Sequence, residues 1–130
     1  LIVVDASALL EVLLRTPAAK AIETRLFVSG QTLHAPHLLD IEAAQVIRRY
    51  AANGDIEGER GRAALNDLAD FPLQRYPHSF LLRRIWTLRH NLTAYDAAYV
   101  ALAEALETVL LTRDKRLAMA AGHHARIELV

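Results

Sequence analysis

The chain opens on Leu1-Ile2-Val3-Val4, an apolar, β-branched run without polar alternation, which predicts a strand covered on both faces within a parallel sheet. Asp5 ends the run. From Ser7 onward Ala8, Leu9, Val12 and Leu13 recur at helical spacing, with Ser7 placed to cap that helix. Pro17 suits the first turn of a second helix through Ala21, Ile22, Leu26 and Phe27, which Ser29-Gly30 breaks. Residues 33–35 read as a second strand. Pro36 then leads into a helix whose stripe is Leu38, Leu39, Ala43, Val46 and Tyr50, closed by Asn53-Gly54. Another helix is expected over residues 56–71, carrying Ala64, Leu65 and Leu68.

Residues 72–77 hold a brief alternating segment with Leu73 and Tyr76, the third strand, after which Ser79 caps a helix with Leu82, Ile85, Trp86 and Leu92. A helix over residues 94–106, a fourth strand over 108–112, a short helix over 114–121 ended by Gly122, and a last strand over 126–130 complete the series. Strands alternating with helices predict an α/β sandwich around a mostly parallel sheet of four or five strands. In such sheets ligands bind beyond the carboxyl ends of the strands, so any site is sought just after a strand.

Size and composition narrow this further. At 130 residues, with no repeat or linker, residues 1–130 are expected to form a single domain around one core. A hydrophobic content of 53% against 23% charged excludes disorder, and the longest apolar stretch, residues 97–103, is far short of the ~18 residues of a membrane span. The 15 Lys and Arg balance the 15 Asp and Glu, so no global field attracts a polyanion, and any nucleic-acid contact must come from a local patch. Without Cys, disulfides, thiolate zinc sites and cysteine nucleophiles are excluded. That absence, with no basic-then-apolar leader pattern after Leu1, gives the expectation of a mature cytoplasmic domain.

Four acids stand where solvated charges do not belong. Asp5 follows the apolar first strand at the carboxyl edge of the sheet, where capping the next helix is the alternative. Glu42 lies four residues after Leu38 and four before Val46, on the apolar stripe, and so needs a partner, with a salt bridge as the ordinary answer. Asp96 has Leu92 four before and Val100 four after; capping by Thr93 or Asp96 itself is its alternative. Asp114 comes two residues after Thr112, past the fourth strand, and read alone it caps the last helix. Together the four converge on one end of the sheet. Crowded carboxylates repel and raise one another's pKa values unless a cation neutralises them. An all-oxygen set without Cys or an organised His group matches Mg²⁺ or Mn²⁺ better than zinc, and points to phosphodiester hydrolysis by an activated water. The hydroxyls of Thr112 and Ser7 are candidates to orient the water or a ligand.

The segments VVDASALLEVL around Asp5, PHLLDIEAAQVI around Glu42, TAYDAAYVALAE around Asp96 and LLTRDKRL around Asp114 resemble, in order and spacing, the four blocks of the PIN-domain ribonucleases, in particular the VapC toxins of bacterial toxin–antitoxin pairs. The resemblance spans essentially the whole chain. It implies a PIN-like α/β/α sandwich and metal-dependent endoribonuclease activity on single-stranded RNA. It also implies that Asp5, Glu42, Asp96 and Asp114 ligate Mg²⁺ or Mn²⁺, with Thr112 and Ser7 as hydroxyl neighbours. A homodimer and inhibition by a cognate VapB-type antitoxin follow in the same way, with operator DNA reached only through the antitoxin complex.

For RNA contacts the candidates are Arg113 and Lys115, which flank Asp114, and then Arg15. Arg48-Arg49 and Arg83-Arg84 are expected to face solvent, and the six His to be surface residues rather than ligands. The Leu82, Ile85 and Trp86 stripe reads as core or dimer interface. The competing class is a catalytically silent PIN-like module using its acidic end to bind a partner, against which four intact acids argue. A phosphorylation receiver would carry paired acids after the first strand, where Ala6 and Ser7 stand. A haloacid-dehalogenase-type phosphatase would need a second Asp at the position of Ser7.

Overall fold

Ile2, Val3 and Val4 are wholly buried and form the middle strand of the sheet, as a β-branched run with no polar member requires. In the computed structural model, which describes residues 1–130, the elements run β1 (Ile2–Val4), α1 (Ala6–Leu13), α2 (Ala19–Leu26), β2 (Leu33–Pro36), α3 (Leu38–Ala52), α4 (Gly58–Asp70) and β3 (Leu73–Tyr76). A single 3-10 turn (Ser79–Leu81) then precedes α5 (Leu82–Thr87), α6 (Ala94–Ala105), β4 (Val109–Thr112), α7 (Lys115–Ala118) and β5 (Arg126–Leu129). The five strands lie in the order β3-β2-β1-β4-β5 and every pairing is parallel, with Val3 opposite His34 on one side and Leu110 on the other.

That order fixes where a ligand binds. The chain moves outward from β1 to β2 and β3, then crosses back to β4 and β5, so the direction of winding reverses between β1 and β4. Right-handed crossovers therefore put α1 and α3 on one face and α6 and α7 on the other, leaving a crevice at the carboxyl ends of β1 and β4. The core is one cluster of 30 buried residues, with Leu9, Leu39 and Ile47 from the first face and Tyr99, Val100 and Leu102 from the second closing on β1 and β4. No helix is long and apolar enough to cross a membrane.

Several local expectations change. Helix α1 begins at Ala6, so Asp5 rather than Ser7 occupies the cap position, and the Asp5 side chain makes no capping bond. Helix α5 stops at Thr87 instead of continuing to Leu92; Ile85 packs on the core together with Leu81 before the helix and Leu88 after it, while Leu82 and Trp86 are 57% and 68% exposed, which removes the core half of the core-or-interface reading for that pair. The stripe Leu82–Ile85–Trp86 and the stripe Leu81–Ile85–Leu88 have the same helical period, and only packing against α6 selects between them. His34 is not a surface residue: it is buried in β2, between the hydroxyls of Thr32 and Tyr76, each 2.7 Å away. Arg84 is likewise not a solvent-facing charge. It grips Glu104, whose side chain is only 6% exposed, through two bonds of 2.7 and 2.9 Å.

Candidate active site

Just past β1 and β4, twelve residues line a pocket of about 370 Å³: Asp5, Glu42, Asp96 and Asp114 are among them, together with Ser7, Glu11, Arg49, Tyr50 and Arg113. Each of the four acids arrives from a different element. Asp5 ends β1, Glu42 sits in the second turn of α3, Asp96 in the first turn of α6, and Asp114 immediately before α7. Two come from strand ends and two from helices on opposite faces of the sheet, so convergence is a property of the fold and not of any local motif.

Asp5 is held most firmly. Its Oδ2 accepts hydrogen bonds from the Thr112 hydroxyl at 2.7 Å and the Ser7 hydroxyl at 2.8 Å. Those hydroxyls in turn accept from the backbone N–H of Asp114 and of Arg113, each at 3.0 Å. The turn after β4 is thereby tied to the end of β1 by two relays that finish on one carboxylate. Thr112 is fully buried, so its hydroxyl acts on the pocket through Asp5 and not by reaching into it.

The remaining acids have different supports. Glu42 Oε1 accepts a 2.6 Å bond from the phenol of Tyr99, a wholly buried residue one helical turn after Asp96 on α6. The partner that a half-buried glutamate needs is thus a neutral hydroxyl instead of a cation. Asp96 does not cap α6; that is done by Thr93, which accepts from the Asp96 N–H at 3.2 Å. Asp114 Oδ1 does cap α7, accepting from the N–H groups of Arg116 and Leu117 at 2.9 and 3.4 Å, while the residue still lines the pocket. Its capping and pocket-lining readings hold together.

None of the four acids takes part in an ion pair; the paired acids are Glu11, Asp40, Glu59, Glu104 and Glu128. Burial raises the Asp5 pKa above the ordinary carboxylate value, Asp114 adds to the rise, and the Thr112 and Ser7 hydroxyls oppose it. Glu42 is raised by burial and then by the charges of Asp5 and Asp96, against the Tyr99 bond. Asp96 is raised by burial and then by Asp5 and Asp114. Repelling, unneutralised oxygens of this kind suit a hard divalent cation. No three acidic or histidine side chains already stand in a metal-holding arrangement. An ion such as Mg²⁺ would take one or two of these carboxylates directly and keep several waters.

A family model for the PIN domain matches residues 2–122. Ribonuclease VapC1 of Mycobacterium tuberculosis is 46% identical over 129 residues, covering 98% of this chain and 96% of that protein. Ribonuclease VapC12 of the same organism is 42% identical over 130 residues, covering 100% and 99%. The chain belongs to the VapC ribonucleases of the PIN-domain family. Its fold is similar to that in the crystal structure of VapBC2 from Rickettsia felis bound to a DNA fragment from their promoter, with a TM-score of 0.74 at 12% identity, covering 99% of this chain and 98% of that one.

In this VapC-family chain the basic residues divide differently from the sequence expectation. Arg113 lines the pocket, but its Nε lies 3.4 Å from Glu11 and its Nη1 donates to the Val130 carbonyl at 3.3 Å. Lys115 opens α7 and Arg15 follows α1 in a left-handed conformation (φ 55°); both are exposed and neither lines the pocket. Arg49 is exposed, as expected, and also lines it. Glu11, Tyr50 and Tyr99 are further residues of the site that the acid pattern missed. Glu11 sits at the spacing of a helix turn from Ser7, a signal readable in the sequence; Tyr99 lies within an apolar run, where a buried phenol needs an acceptor but nothing names Glu42 as that acceptor.

Proposed function

We propose that the chain is a metal-dependent endoribonuclease toxin that hydrolyses phosphodiester bonds of single-stranded RNA with Asp5, Glu42, Asp96 and Asp114 as the metal-binding set. The observation that carries this reading is that four carboxylates line one pocket at the point where the sheet reverses its winding and none of them takes part in an ion pair. Membership of the VapC ribonucleases supports the RNA substrate. The competing reading, a silent binding module, leaves four mutually repelling acids without a physical reason to be together.

When bound, Mg²⁺ or Mn²⁺ supplies Lewis acidity and makes water a competent nucleophile at neutral pH. The chain's own residues do the rest. Ser7 and Thr112 hold the Asp5 carboxylate, Tyr99 holds Glu42, and the cap on α7 holds Asp114, so three of the four acids are each restrained by hydrogen bonds within the chain. A VapB-type antitoxin that covers this pocket, a homodimeric assembly, operator DNA bound only through the antitoxin, and a cytoplasmic location belong to the same reading.

The test is cleavage of single-stranded RNA by the full chain with and without EDTA, with Mn²⁺ added back, beside the variant Asp5→Asn. Cleavage lost in EDTA, restored by Mn²⁺ and absent in a folded Asp5→Asn protein is expected. Undiminished cleavage by Asp5→Asn at equal metal concentration refutes the assignment.

A further inference from the structure

The pocket wall presents two guanidiniums, Arg49 from α3 and Arg113 from the turn after β4, and they are not equivalent. Arg113 is neutralised by Glu11 and anchored to the Val130 carbonyl. Arg49 is exposed and makes neither an ion pair nor a side-chain hydrogen bond; its guanidinium carbon stands 6.0 Å from the centroid of the Tyr50 ring, which lines the same wall. The spacing explains the placement. Glu42, Val46, Arg49 and Tyr50 follow one another at helical intervals along α3, so a single helix face carries the carboxylate first and the cation with its ring about two turns later. Seven residues of helix rise by about 10 Å, which sets the pair beside the acids and not among them.

Charge makes this position consequential. Five carboxylates line the pocket against two guanidiniums, so a divalent ion still leaves the wall negative. An anionic strand approaching it needs a cation not already spent on a carboxylate, and Arg49 meets that condition. A guanidinium takes phosphate oxygens in bidentate fashion, and an adjacent tyrosine ring offers a stacking face of the kind single-strand binders use without regard to sequence.

We infer that Arg49 and Tyr50 form a nucleotide subsite for single-stranded RNA next to the acidic pocket, Arg49 taking a backbone phosphate and Tyr50 stacking on a base. The inference rests on the ribonuclease reading and names the contacts that hold the strand during it. Tyr50 is half-buried and Arg49 exposed, and both line the pocket that holds the acids.

The experiment measures fluorescence anisotropy of a short labelled single-stranded RNA on the full chain, in an Asp5→Asn background with Mg²⁺ to prevent turnover, over a series of salt concentrations. Arg49→Gln is expected to weaken binding about tenfold and to lower the slope of log K against log salt by about 0.7, the contribution of one phosphate contact. Tyr50→Leu is expected to weaken it about tenfold with an unchanged slope, and Tyr50→Phe to restore it. Thermal melts exclude misfolding, to which exposed Arg49 is insensitive. Affinity and slope equal to the parent in both Arg49→Gln and Tyr50→Leu overturn the subsite while leaving the ribonuclease reading in place. A parent that binds no RNA at any salt concentration removes both together.

Discussion

Replacing Tyr99 with Phe removes one bond and little else. The ring is wholly buried, so Phe fills the same space less one oxygen, and what disappears is the 2.6 Å hydrogen bond to Glu42 Oε1. A hydrogen bond to a charged acceptor is worth about 2 kcal/mol, which is roughly thirty-fold in an equilibrium that requires the ionised carboxylate. Burial, Asp5 and Asp96 all push the Glu42 pKa up, and the Tyr99 hydroxyl is what opposes them. Without it Glu42 keeps its proton to higher pH, and an entering metal ion must displace that proton. Mn²⁺ affinity is therefore expected to fall by up to about thirty-fold at mildly acidic and neutral pH and to recover under alkaline conditions. The assay is a Mn²⁺ titration of both proteins followed by the EPR signal of the free ion across a pH series, with melts in EDTA as the control for folding. Superimposable isotherms at every pH, even with lowered stability, refute the positioning role of Tyr99.

Other consequences are checked by melting and cleavage. Asp5, Glu42 and Asp96 all have raised pKa values, chiefly through burial and then through one another, so the folded metal-free state binds more protons than the unfolded one. Its stability in EDTA should fall as pH rises from the ordinary carboxylate range through those raised values, and saturating Mg²⁺ should restore it; a midpoint that climbs over that interval contradicts the sign. Asp96→Asn relieves the same repulsion and should abolish RNA cleavage while raising the metal-free midpoint by up to about 5 °C. Thr112→Val leaves Asp5 Oδ2 short of one donor and the Asp114 N–H without an acceptor; it should cost about 1–3 kcal/mol by denaturant melting and depress cleavage, with Thr112→Ser recovering both. Arg84→Met strands Glu104, whose pKa burial would raise but which the Arg84 and His124 contacts hold below normal; because Arg84 is itself about one-third exposed, the cost should be about 2 kcal/mol, with cleavage unchanged.

What the sequence revealed and what it concealed separate along physical lines. The inner strands β1 and β4 were legible because a parallel strand covered on both faces is apolar throughout, while β3 and β5, with polar residues at half their positions, showed only as short segments between helices; alternation with helices indicated a mostly parallel sheet but not its order. Through local signals, Glu42 and Asp96 were legible because each interrupts an apolar helical period, and Asp5 and Asp114 because each follows an apolar strand. The face of α5 was not, since Leu81–Ile85–Leu88 and Leu82–Ile85–Trp86 satisfy the same spacing and only contact with α6 distinguishes them. Arg84 was illegible for a related reason: it sits in a pair of adjacent arginines on a helix, and which of two neighbours finds a carboxylate depends on where the next element lies.

Tyr99 is the instructive case, because the sequence contained both halves of it without joining them. Glu42 on an apolar stripe demands a donor, and a tyrosine inside the run Ala97-Ala98-Tyr99-Val100-Ala101 demands an acceptor once buried. Neither demand names its partner, and the two residues are 57 positions apart. The fold joins them by passing α3 and α6 over opposite faces of the sheet to the same carboxyl edge, where the neutral hydroxyl satisfies Glu42 without cancelling its charge. A lysine or arginine at position 99 would pair with Glu42 only by burying a second charge, and would place a positive charge where the site needs negative charge for a metal ion. The choice of a phenol over a cation at that position is thus a condition for an acidic pocket able to attract a divalent ion.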